Sequence, residues 1–421
     1  VFVSDDNIYA PVMHLGIRKF HLEEKASFVA HEDVPRSVLP PPQITTDYLK
    51  KDPDLYLDAR ENKRELDGDQ AELCASMSSS GSGFNVLIHG GNEGDVSTVV
   101  TRMMACLGEM LSENQRSVQE IYFCFFYLRN MEDFAVANSA YSKMFQNNLK
   151  APTRACIEIS TMSSSASLEV RGTSSPFSTL HVQSISEWAP PCIGPYSQAS
   201  WFDGVLHLCG VIPLWPATSG MVPSTGIRAQ TTACMINIKK TIEALPTTFE
   251  KLASIHAYVV QSDFVEPMES VIRQYVADET PIFVFPVTAL PKGALAEIRT
   301  VFIEKSYSIE TIRVEGVLNG SDHFRSVVVG SFAEGVVSMA KSSGDLKSIM
   351  TEIMRKVEVA TSGQTVVLNV LRILRRSGLK KYTGAVPGNP AVLQLESDEL
   401  PDPEIEVLAY FEATLTDNTC K

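Results

Sequence analysis

The amino-acid sequence predicts an α+β chain built from three consecutive copies of one unit, each ordered strand, helix, strand, helix, strand, strand. Three observations predict it. The hydrophobic spacing switches between strand-like and helical in the same order three times along the chain. The segments IYFCFFYL (121–128) and VVLNVLRIL (366–374) are apolar on nearly every residue, as expected of strands buried on both faces. The closing segments ALPKGALAEI (289–298) and ELPDPEIEV (399–407) parallel one another. A sheet with helices on one face and an apolar opposite face must bury that second face, and the other two copies are the surfaces the chain offers.

The first copy opens with FNVLIHGG (84–91), a buried strand ending in a glycine turn. Val100, Met103, Met104, Leu107 and Leu111 follow at helical spacing, so a helix is expected around Ser97–Leu111. IYFCFFYL is the next strand, MEDFAVANSAYSKMF (131–145) a second helix, and ACIEI (155–159) and SLEV (167–170) close the copy. The second copy repeats the order through GVLHLCGVIP (204–213), the helix at 226–245, ASIHAYVV (253–260), the helix VEPMESVIRQYVAD (265–278) and closing strands within 283–304. The third is compressed: SVVVGSF (326–332), a helix at 345–360, TVVLNVLRILRR (365–376), a helical stub near GLKKYTG (378–384), and closing strands within 391–413. The expected boundaries are 1–175, 176–308 and 309–421. Residues 32–83 fit no element. PPPQ, the charge-dense 50–70 and SMSSSGSG (76–83) suggest a surface insertion, with Tyr48, Leu49, Leu55 and Tyr56 available to anchor its first half.

Composition narrows the chemistry. A formal net charge of −14 repels phosphate backbones, so nucleic acid is not an expected partner. The basic cluster Arg372, Arg375, Arg376, Lys380 and Lys381 is read as a solvated strand end. No apolar run approaches the ~20 residues of a membrane helix, and VFVSDDNIYAPV is unlike a secretion signal. Eight scattered cysteines, without a CxxC pair or zinc spacing, point to a reducing cytoplasmic setting and to no structural metal.

Five motifs carry a family resemblance. IGPYSQA (193–199), NSAY (138–141), PTRAC (152–156), Glu169 fifteen residues beyond Arg154, and ALPKGALAEI ending at Glu297 and Ile298 resemble the signatures of the RidA family, whose members also carry the label endoribonuclease L-PSP. The resemblance implies chorismate-mutase-like units that trimerise around a central β-barrel with clefts between subunits. Three units in one chain then imply an intramolecular pseudo-trimer and a monomeric protein. The run LHVQSISEWAPPCIGPYSQA (180–199) resembles the join between RidA-like domains of eukaryotic diphthine–ammonia ligases. Those enzymes amidate diphthine on elongation factor 2 with ATP and ammonium. The partners so implied are an N-terminal ATP-pyrophosphatase-type domain and elongation factor 2. Neither an SGGKDS-like loop nor GxxxxGK[ST] occurs here, so no cofactor is expected in these residues and ATP belongs to that other domain.

The resemblance also implies a site. An arginine of one unit would bind a carboxylate through its planar fork, and a tyrosine and glutamate of the next would complete an imine-hydrolysing cleft. Arg154 is the arginine of the first copy, while Ile282 and Val392 hold its place in the others. Tyr196 is the tyrosine of the second copy, and the glutamate candidates are Glu169, Glu297 and Glu404 or Glu406. One composite cleft is therefore expected to unite Arg154, Asn138 and Cys156 with Tyr196 and Glu297 as catalytic and binding residues, with Gly90, Gly210 and Glu169 as further ligand-binding candidates. Which glutamate faces Arg154 stays open at this level. Plainer roles stand beside these: Cys156 as a small buried hydrophobe, Tyr196 in a turn, Glu169 and Glu297 as outward strand positions, Asn138 bonded to a loop. His89 and Cys209 replace a serine of the family beside Gly90 and Gly210. Three classes of function follow: an accessory region of a diphthine–ammonia ligase, a 2-imino acid deaminase with one working cleft, and a non-catalytic interaction scaffold.

Overall fold

The structure, a computed structural model, describes residues 73–416 apart from 81, 93, 146–149, 184, 193, 203, 222–225, 246, 279, 304–310, 319–321, 330–331, 341–345, 361–364, 376–390 and 397–404, and beyond 303 it describes side chains only for 350–358. The expected anchors in 48–56, the stub near 378–384, Arg376, Lys380, Lys381 and Glu404 lie outside the described residues.

Three sheets follow one another along the chain. The first holds β1 (Cys74–Ser80), β2 (Gly83–His89), β3 (Ile121–Leu128), β4 (Thr153–Glu158) and β5 (Ala166–Thr173) in the order β1-β2-β5-β3-β4. The second holds β6 (Ser178–Leu180), β7 (Ala199–Phe202), β8 (Val205–Leu208), β9 (Leu252–Val259), β10 (Ile282–Pro286) and β11 (Ala296–Ile303), ordered β6-β7-β8-β11-β9-β10. The third holds β12 (Thr311–Leu318), β13 (Asp322–Val329), β14 (Phe332–Ala340), β15 (Thr365–Arg375), β16 (Ala391–Glu396) and β17 (Ile405–Thr416), ordered β12-β13-β14-β17-β15-β16. Each sheet ends in a parallel pair, β3–β4, β9–β10 or β15–β16, and is otherwise antiparallel. The same strand order thus occurs three times. The helices are α1 (Val96–Glu113), α2 (Phe134–Phe145), α3 (Ile227–Glu243), α4 (Val265–Ile272) and α5 (Leu346–Ala360). α4 is shorter than expected because Arg273 Nη1 donates to the carbonyls of Ala277, Asp278 and Thr280, winding the chain out of the helix.

Residues 74–80 differ from the expected insertion. They pair antiparallel with β2, from Cys74 opposite His89 to Ser80 opposite Gly83. An edge strand needs only part of its side chains buried, and Met77, 8% exposed in the first core, supplies that anchor where serines could not.

Alternation along β3 explains how the first two units join. Cys124, Phe126 and Leu128 pack beneath α1 and α2 with Val99, Val100, Met103 and Leu107. Phe123, Phe125 and Tyr127 face the other way, into a cluster with Tyr258, Phe283, Phe285, Ile212 and Leu214 of the second unit. Each such aromatic gains about 1.5–3 kcal/mol on full burial, so the contact between units is itself a hydrophobic core. The edge of β4 is covered as well: the N–H of Gly210 donates to the carbonyl of Arg154 (3.0 Å) and that of Glu158 to Ala289 (2.9 Å). Two isolated bridges also link β4 to the second unit, Thr153 with Ser197 and Glu158 with Ala289. Among the described residues no ladder joins the three sheets into the central barrel implied by the resemblance. In α5, Met350, Ile353 and Val357 form the buried stripe.

Candidate functional site

The edge strand β4 places Arg154 and Cys156 on one face, two residues apart, and that face lies under α2. Arg154 is only 5% exposed. Its guanidinium carbon lies 4.8 Å from the ring centroid of Tyr141, 5.9 Å from that of Phe134 and 5.1 Å from that of Tyr196. Aromatic faces attract a cation without neutralising it. Among the described residues, Nη1 of Arg154 and Oδ1 of Asn138 are both buried without a hydrogen-bond partner. A buried donor and a buried acceptor left unsatisfied are costly, and each calls for an explanation.

The second unit brings the opposite wall. Glu297, on β11 and 2% exposed, accepts from the N–H of Cys156 at 3.3 Å. Burial pushes its carboxyl up to about 8, although the Cys156 N–H and the charge of Arg154 both pull it down. It therefore holds a proton at neutral pH. Gly210 makes this approach possible, because a Cβ there would fall inside the Glu297 carboxylate. Gly194 plays the same part over Arg154: a Cβ would stand 3.0 Å from Asn138 Oδ1 and 3.4 Å from Arg154 Nη2. A cavity continues beside Tyr196, Cys209 and Gly210 towards Leu214, Asn237 and Thr241. Burial raises the Cys156 and Cys209 thiols to about 12, so both are protonated and fill space as small hydrophobes.

Arg154, Asn138, Cys156, Tyr196, Gly210 and Glu297 thus converge, and Glu169 and Gly90 do not. Glu169 lies on the opposite face of the first sheet, where Arg171 Nε (2.9 Å) and Nη2 (2.7 Å) donate to it and the Tyr127 hydroxyl sits at 3.4 Å. Strand pairing explains why its fifteen-residue spacing from Arg154 misleads. Arg154 pairs with Cys124, and three residues along β3 Tyr127 faces Ser167; Ile282 pairs with Ile255, and three residues along β9 Tyr258 faces Glu297. Ser167 is therefore the rung equivalent to Glu297, and Glu169 is equivalent to Arg299. Gly90 is a packing glycine, since a Cβ would strike Val99 and Met103 of α1. Ile282 is 1% exposed in the second core, and Val392 lies on β16 opposite Leu371. Sequence reasoning missed Phe134, Tyr141 and Gly194. Tyr141, one helical turn from Asn138, was legible from the i, i+3 spacing within NSAY.

Among the described residues no group of three or more His, Cys, Asp or Glu side chains could hold a metal ion, and no helix is long and apolar enough to cross a membrane.

Comparison with known proteins matches the first two units to one family. The pattern of the family described as Endoribonuclease L-PSP matches residues 80–175 and 186–304, about half of the chain. A diphthine–ammonia ligase of Schizosaccharomyces pombe is 29% identical over 224 residues, covering 51% of this chain and 36% of the ligase, so the match spans about a third of that protein. A RutC family protein of Sulfurisphaera tokodaii is 32% identical over 117 residues, 28% of this chain and 93% of that protein. A 2-iminobutanoate/2-iminopropanoate deaminase of Bos taurus is 27% identical over 117 residues, 28% of this chain and 85% of the deaminase.

Proposed function

The chain belongs to the endoribonuclease L-PSP (RidA) family, and from that premise we propose that it is the accessory RidA-like region of a diphthine–ammonia ligase, with one cleft, between its first two units, that binds a small carboxylate. The observation that carries the cleft is the buried Nη1 of Arg154, held among aromatic rings without a hydrogen-bond partner among the described residues. A ligand carboxylate satisfies it through the guanidinium fork. The similarity to the fission-yeast ligase supports the accessory role, and the ATP-using chemistry that the resemblance implies would belong to a domain outside these residues. Elongation factor 2 enters as the partner of the whole ligase, in the cytoplasmic setting that the scattered cysteine spacing suits.

Glu297 favours a second reading within the first, hydrolysis of a 2-imino acid. With Arg154 holding the carboxylate, the protonated Glu297 lends its proton to the imine nitrogen and then takes one from the attacking water. Water oxygen bonds to the imine carbon; the same carboxyl then gives its proton to the amino nitrogen and takes the hydroxyl proton, so that the carbon–nitrogen bond breaks, ammonia leaves and a 2-keto acid remains. This supplies ammonia, which an amide ligase consumes. A pseudo-trimer fits too, because β16 of the third unit lies beside β1 and β2 of the first. The test is hydrolysis of 2-iminobutanoate generated in situ by this chain and by Arg154→Ala. An active chain and an inactive variant support the deaminase reading. Activity at the buffer rate in both removes it and leaves the carboxylate-binding accessory role, which pyruvate binding then judges.

A further inference from the structure

The seventeen residues Leu180–Tyr196 lead from the first unit into the second and arrive at the cleft, where Gly194 and Tyr196 stand against Arg154. Between Leu180 and Ala199, which pair as the ends of β6 and β7, the chain makes a long excursion whose ends stay close. Its base is closed by one side chain. Gln198, 5% exposed, accepts from the N–H of Val182 at 2.7 Å and donates through Nε2 to the carbonyls of Val182 at 2.8 Å and Pro190 at 3.1 Å. Its own N–H donates to Leu180 and its carbonyl accepts from Cys209, so the residue itself is fixed on both sides. The N–H of Cys192 also donates to Val182. Ser186 closes the tip, accepting from the N–H of Ala189 and donating to its carbonyl. The carboxamide thus acts as a stretch of strand would, satisfying main chain on both legs of the loop.

Resting on the carboxylate-binding reading of the cleft, we propose that Gln198 is its positioning residue: the carboxamide clamps the inter-unit loop over Arg154, holding Gly194 against Asn138 and Arg154 and the Tyr196 ring over the guanidinium. Gln198 does not touch the guanidinium itself. It acts through the loop, which buries Arg154 and keeps its fork turned to the ligand. Tandem fusion therefore does more than tether two units, because the connector between them forms a wall of the site.

The test reads the accessibility of Arg154 directly and needs no substrate. Phenylglyoxal modifies accessible guanidinium groups, and mass spectrometry locates the product. Modification of Arg154 is expected to be faster by about tenfold in Gln198→Ala, the scale of a locally opened segment. Arg171, 2% exposed in the first unit, is expected to stay unmodified in both proteins and reports that the fold survives. Gln198→Glu keeps the acceptor for Val182 while losing both donors, and it should fall between the two. It also serves if the alanine variant does not fold. Equal rates at Arg154 in a folded variant overturn the proposal. Pyruvate binding adds the second arm, weaker in both variants by about the same factor. Faster labelling with pyruvate binding unchanged also overturns it. A wild type that never binds pyruvate removes the carboxylate reading, while labelling still decides the clamp.

Discussion

On β4 the first unit presents Arg154, buried yet with one nitrogen unsatisfied, whereas on β10 the equivalent rung is Ile282, sealed in an apolar core. The exchange is reciprocal one strand further on, where the second unit carries Glu297 and the first carries Ser167 bonded to His89 at 2.7 Å. Each unit holds one half of the proposed site. The first contributes the cation and the second the acid, and the two halves meet only because β4 docks beside Gly210. Covalent linkage allows this division, since every molecule holds one copy of each half at fixed geometry and no random assembly is needed.

The comparison breaks first at Glu169. It is buried and paired with Arg171 at 2.7 Å on the face away from Arg154. Removing one partner of a buried ion pair costs roughly 3–5 kcal/mol. Glu169→Gln is expected to lower the unfolding free energy from urea titration by that order, with a lower midpoint, while leaving pyruvate affinity unchanged in the folded protein. A variant that keeps its stability and loses affinity would restore Glu169 to the site.

Glu297 gives the opposite pattern. Its folded value, about 8, lies above that of an exposed carboxyl, so the folded state binds the extra proton. No penalty exists below the unfolded value. Stability is lost as pH rises from the unfolded value towards 8, at about 1.4 kcal/mol per pH unit through that window. Glu297→Gln should flatten the curve of urea midpoint against pH. Any imine hydrolysis by the wild type should fall as pH climbs past about 8, when the acid form disappears. Gly210→Ala is the milder probe of the same group. Its methyl must displace the carboxylate from the Cys156 N–H, costing about 1–3 kcal/mol as an overpacked site does, with the pH profile shifted from that of the wild type.

The sequence carried the order of elements because β3 and β15 announce themselves as apolar runs and the helices between strands keep a 3.6-residue stripe. β1 was hidden: serines in an edge strand leave little hydrophobic period, and only Met77 marks its inner face. In the site, PTRAC and ALPKGALAEI were legible because they are local. Glu169 was misassigned because spacing along the chain counts loop residues, whereas the ladder counts rungs, and the loop after β4 is two residues shorter than the one after β10. The unsatisfied Arg154 nitrogen and the Gln198 clamp depend on contacts between distant residues, which no local pattern encodes.

The smallest expected effect concerns the rung that took the place of the acid. Ser167 is fully buried, and His89 spans it and Ser163, with Nδ1 2.7 Å from one hydroxyl and Nε2 3.1 Å from the other. If this trio only satisfies the polar groups of a rung that has lost its carboxylate, Ser167→Ala removes one hydrogen bond and costs about 1 kcal/mol. Pyruvate binding should then match the wild type. A loss of affinity comparable with that of Arg154→Ala would mean that the first unit still contributes a working half-site of its own, and the division of labour between the two units would have to be redrawn.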